Sequence, residues 1–108
     1  MRSMATYIVC FVEGKPKSFD NLDDARKYAI ANYKKGAFDS TLHRQYLVEI
    51  ARKSKADSRW VNEGTIIVKS ASSPYYFLRY HPKTGTNTKY EIDKNGRIIS
   101  KNLFAKRR

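Results

Sequence analysis

Between Thr65 and Ile99 the chain is cut by turn punctuation into short β-branched and aromatic runs, a pattern that admits little besides an antiparallel meander. The runs are Thr65–Lys69, Tyr75–Tyr80 and Thr88–Ile92, separated by Ser70-Ala71-Ser72-Ser73-Pro74 and His81-Pro82-Lys83-Thr84-Gly85. Asp93-Lys94-Asn95-Gly96 then predicts a tight hairpin, because Asn-Gly accepts positive φ at both central turn positions, and Arg97-Ile98-Ile99 returns.

The amino-terminal half carries a different signal. Tyr7–Val12 is apolar on both period-2 faces and reads as a central strand, and Glu13-Gly14-Lys15-Pro16-Lys17 ends it in a turn or short return strand. Asp20 or Asn21 can cap a helix whose stripe is Leu22, Ala25, Ala29 and Tyr33, with Arg26, Lys27 and Lys34 turned away. Lys34-Lys35-Gly36 closes it, with Gly36 suited to a left-handed position. Residues 37–43 are a connection, Arg44–Ala51 a half-covered strand, and Arg52–Asn62 a basic, mobile surface loop.

The expectation is therefore a single α+β domain over residues 5–101: an antiparallel sheet of five to six strands with one main helix packed on one face. A right-handed crossover from the first strand through the helix to Arg44–Ala51 would make the sheet mixed. Residues 1–4 precede any periodicity, and residues 102–108 are expected to form a flexible basic tail. The 108 residues suffice for one core. The lone Cys10 lies in an apolar run and excludes an internal disulfide, and no apolar run is long enough to span a bilayer, so a cytoplasmic protein without membrane contact is expected.

Charge is what points outward. The net charge is +12, and residues 55–108 hold twelve bases against four acids, whereas residues 1–54 hold ten against six. A field of this size favours a polyanion or an acidic protein surface, provided that the cations gather rather than spread. In Tyr75-Tyr76-Phe77-Leu78-Arg79-Tyr80, alternation puts Tyr75, Phe77 and Arg79 on one face and Tyr76, Leu78 and Tyr80 on the other. If the helix covers the second set, the first presents rings and a guanidinium on the open face, where single-stranded bases stack. Phe77 reads better as a core or cross-strand packing residue, and Tyr75 reads equally well as one.

The leading expectation is a non-enzymatic module that binds RNA or single-stranded DNA with low sequence specificity. Its site would draw on Lys53, Lys55, Arg59, Lys101, Lys106, Arg107 and Arg108 for phosphates and on Trp60, Tyr75 and Arg79 for stacking. An accessory or inhibitor protein docking on an acidic surface would use the same cations. A metal-independent ribonuclease would centre on His81 beside Arg79, Tyr80 and Lys83, with His43 a weaker candidate. Two histidines and one cysteine are too few for a structural zinc site, and the carboxylates do not cluster, so neither metal nor cofactor is expected. An uncovered edge strand is compatible with a monomer or a homodimer.

Overall fold

The computed structural model describes residues 5–41, 44–54, 59–70, 74–81 and 83–103. Among the described residues eight strands and one α-helix follow in the order β1 (Ala5–Cys10), β2 (Lys17–Phe19), α1 (Leu22–Ala31), a 3-10 turn (Tyr33–Lys35), β3 (Ala37–Asp39), β4 (Gln45–Ser54), β5 (Val61–Val68), β6 (Tyr75–His81), β7 (Thr86–Ile92) and β8 (Ile98–Leu103). They form one sheet in the order β2-β1-β4-β5-β6-β7-β8, with β3 also paired to β4. The α+β expectation holds in outline. The strand number exceeds it because β2 and β3, three residues each, are ordered by their neighbours rather than by any periodicity of their own.

Every pairing is antiparallel, so the sheet is not mixed. After the helix the chain does resume the direction of β1, but as β3, and it has reversed by the time it enters β4. β1 and β3 therefore share one side of β4: Val9 pairs Ile50 and Phe38 pairs Tyr46. Five of the eleven residues expected in the basic loop are in strands, since β4 runs to Ser54 and β5 begins at Val61, and 55–58 lie outside the described residues. Cross-strand pairs with β1 and with each other hold these polar ends in the ladder. At the carboxyl end β8 reaches Leu103, so 102 and 103 belong to the sheet, while 104–108 lie outside the described residues.

The helix starts where a short side chain can cap it: Asn21 Oδ1 accepts from the Asp24 backbone N–H at 2.8 Å. It ends at Ala31, and Asn32 N–H reaches back to the Tyr28 and Ala29 carbonyls before the 3-10 turn. Gly36 is extended (φ −79°) rather than left-handed, and a Cβ there would lie 2.7 Å from Val48 Cγ2, so close approach to β4 explains the glycine. In the β7–β8 turn Gly96 alone takes positive φ (82°), because the turn closes through Gly96 N–H to the Asp93 carbonyl instead of through two left-handed residues.

The core joins Ala25, Ala29 and Ile30 of the helix to Val9, Val48, Ile50, Ile66, Val68, Phe77 and Ile92. Arg26, expected to face solvent, is also buried. Its guanidinium lies over the Phe77 ring, 5.1 Å from the centroid, and pairs with Asp23. No helix among the described residues is long and apolar enough to cross a membrane.

Candidate nucleic-acid interface

The helix settles which face of each strand is inside. Its core partners include Phe77, with Tyr75 packed against the same cluster, so the Tyr75, Phe77 and Arg79 set lies on the helix side. The condition for an open-face platform of Tyr75, Phe77 and Arg79 is not met: Phe77 is in the core and Tyr75 packs against it. Alternation gives the open face Tyr76, Leu78 and Tyr80 from β6, Leu47, Glu49, Ala51 and Lys53 from β4, and Ile8 and Cys10 from β1. Lys89 Nζ sits 4.1 Å from the Tyr76 ring centroid on this face, and Tyr80 is exposed. Burial, then the neighbouring Glu49, pushes the Cys10 thiol up, so it stays protonated.

One end of the sheet carries four of the six sequence candidates that lie among the described residues. Here β4 ends, β5 begins, and β6 turns into β7. Arg52 pairs with Val61, which brings Lys53 level with Trp60. Lys53 Nζ lies 5.8 Å from the Trp60 ring centroid, and the indole is 42% exposed beside exposed Arg59. An exposed ring with a lysine ammonium over it is a pairing that unpaired bases and their phosphates can use.

On the helix side of the same end sits a charged cluster built by a bulge. Ile50 pairs Gly64 and Ala51 pairs Asn62, which leaves Glu63 without a place in the ladder. Its carboxylate is buried and accepts from Arg52 Nε at 3.0 Å, with Arg79 Nε 3.7 Å from the other oxygen. Burial lowers the Arg26 pKa, while Asp23 and Glu63 oppose that shift. Across the strand from Arg79, buried Thr88 shares a 2.8 Å hydrogen bond between its Oγ1 and His81 Nε2.

Of the residues named from sequence, Lys53, Arg59, Trp60 and Arg79 meet at this end, Arg79 from the helix side. Tyr75 lies at the opposite end of β6, half-buried, and Lys101 pairs with Tyr90 across β7 and β8. Lys55, Lys106, Arg107, Arg108 and His43 lie outside the described residues. Cations occupy both sides of the sheet, with Lys53 and Lys89 on one and Lys17, Arg26 and Arg79 on the other, so they do not gather on a single face. Sequence reasoning missed Arg52, Glu63, Tyr76 and Lys89, and named Tyr80 only as a companion of His81. Glycine at position 64, directly before the Thr65–Lys69 run, was the available sign of a bulge.

Among the described residues no group of His, Cys, Asp and Glu could hold a metal ion. Comparisons with protein-family models, curated proteins and solved structures found no match.

Proposed function

We propose that this chain is a small basic module that binds single-stranded RNA or DNA with little sequence preference. The observation that carries the reading is Trp60, exposed with Lys53 over its ring and Arg59 beside it, at the end of a sheet in a chain of net charge +12. Phosphates supply affinity through the cations, and the indole supplies a face for a base to stack on. Neither contact reads base identity, which is why specificity is low.

Filter binding with RNA and DNA oligonucleotides across a salt series tests this. Affinity that falls steeply as salt rises supports it; absence of binding in low salt, or binding indifferent to salt, overturns it. A pull-down from nuclease-treated lysate separates it from docking on an acidic protein, since a protein partner survives the removal of nucleic acid.

A further inference from the structure

The bulge that turns Glu63 inward has a second effect further out along β5. Thr65 and Ile67 lie on the open face, so an unbroken alternation would put every odd position of this strand there and send Trp60 to the helix side. One extra residue at Glu63 resets the alternation. Asn62 pairs Ala51 on the open face, where its Nδ2 donates to Glu49 Oε2 at 2.6 Å, and Val61 pairs Arg52 on the helix side. Trp60, the next residue out, is thereby brought to the open face beside Lys53.

Tyr80 stands on the same face at the same end. It belongs to β6, the neighbour of β5, two residues beyond Leu78, which pairs Thr65. Trp60 and Tyr80 are 42% and 48% exposed, and among the described residues the other aromatic ring this open to water, Phe38, lies against Tyr46 with centroids 4.8 Å apart. One strand spacing across and two or three residues along put the Trp60 and Tyr80 Cα atoms on the order of 10 Å apart, a gap that neighbouring bases of an extended strand can bridge.

The open-face residues beside the two rings are polar: Lys53 and Asn62 next to Trp60, and Asn87 opposite Tyr80. An apolar protein side chain gains little from such neighbours, whereas a base has a flat face to lay on a ring and a polar edge to meet an amide. The chain's charge of +12 is opposite in sign to a nucleic-acid backbone, and Lys53 Nζ, 5.8 Å from the indole centroid, brings a cation to the ring itself. Glu49, four residues before Lys53 on β4, is acidic, so the phosphates belong at the Lys53 end of the strand.

We infer that Trp60 and Tyr80 are two stacking positions for neighbouring bases of one single strand, with Lys53 on the phosphate backbone beside Trp60. The inference rests on the nucleic-acid reading and deepens it, since the site then takes a two-base step rather than a lone base.

The test uses a short oligodeoxynucleotide of abasic residues that carries no base, one adenine or two adjacent adenines. Affinity is measured in low salt for wild type, Tyr80→Ala, Tyr80→Phe and Trp60→Ala. In wild type each adenine should raise affinity by about 5- to 150-fold. In Tyr80→Ala and in Trp60→Ala the second adenine should add nothing, whereas Tyr80→Phe keeps a ring face and should behave as wild type. A second adenine that adds nothing in wild type, or that adds as much in Tyr80→Ala as in wild type, overturns the two-base step while leaving the nucleic-acid reading in place. Loss in Tyr80→Phe equal to that in Tyr80→Ala overturns it as well, because the ring face would then not be the contact. Wild type that binds no oligonucleotide, abasic or adenine-bearing, overturns the nucleic-acid reading and the inference with it. Tyr80 is exposed enough that Tyr80→Ala should fold; if it does not, Tyr80→Leu, apolar but without a ring, takes its place in the same comparison.

Discussion

Arg26 Nε donates to the carbonyl of Gly96 at 2.7 Å, tying the first turns of the helix to a hairpin turn seventy residues further along the chain. The bond is buried and charge-assisted, and the same guanidinium reaches Asp23.

Replacing Arg26 with Met keeps a stem over Phe77 but leaves the Gly96 carbonyl without its donor. Unfolding in urea should show a loss of about 2 kcal/mol, typical for a hydrogen bond to a charged group. Asp23→Asn should cost less than about 1 kcal/mol, because the Asp23 side chain is 63% exposed and the pair is screened there. Equal losses in the two variants would contradict the assignment of the main effect to the Gly96 bond.

Gly64 is where β5 meets the Phe77 ring, and a Cβ added there would lie 2.6 Å from Phe77 Cε1. Gly64→Ala should cost about 1–3 kcal/mol through overpacking. The cost should shrink in a Phe77→Leu background, where the ring is gone, and additive losses in the double-mutant cycle would count against the contact.

Trp60→Ala should weaken binding of a single-stranded oligonucleotide by about 5- to 150-fold, the equivalent of 1–3 kcal/mol for one stacked base. The melting temperature should move little, since the indole is already 42% exposed. Quenching of the single tryptophan's fluorescence by added oligonucleotide is the direct readout, and unquenched binding would place the base elsewhere.

The Asp93 carboxylate accepts the Arg97 backbone N–H, and with help from the Asn95 N–H this holds its pKa below the usual carboxylate value. A depressed folded pKa adds stability above the unfolded value of about 4 and loses it as pH falls through the folded one. The stability difference between wild type and Asp93→Asn should therefore be constant from neutral pH down to about 5 and close in stronger acid. A difference that widened in acid would reverse the sign of this account.

The carboxyl-terminal strands were legible because β-branched runs and turn residues agree there, and side-chain chemistry alone narrowed the helix cap to Asp20 or Asn21. The side of the sheet that the helix covers was not. Both period-2 sets in Tyr75–Tyr80 contain rings, so alternation could pair either with the helix, and the choice follows from Ala25 and Ala29 packing beside Phe77. The buried Arg26 escaped notice because its acceptor is a backbone carbonyl far along the chain, a partner with no side-chain signature. Glu63 looked like an ordinary acid in a loop because the bulge that turns it inward depends on the register between β4 and β5.

Placing β1 beside β4, and the helix against a turn near position 96, has a kinetic consequence. The β5–β8 hairpins close over short separations, whereas the helix cannot find its last acceptor until a much longer loop has been drawn together. During synthesis, the amino-terminal half must wait for nearly the whole described chain before Arg26 is satisfied. The Arg26–Gly96 bond, unlike the packing of the helix on nearby β1, is thus the contact that waits for the far end of the meander.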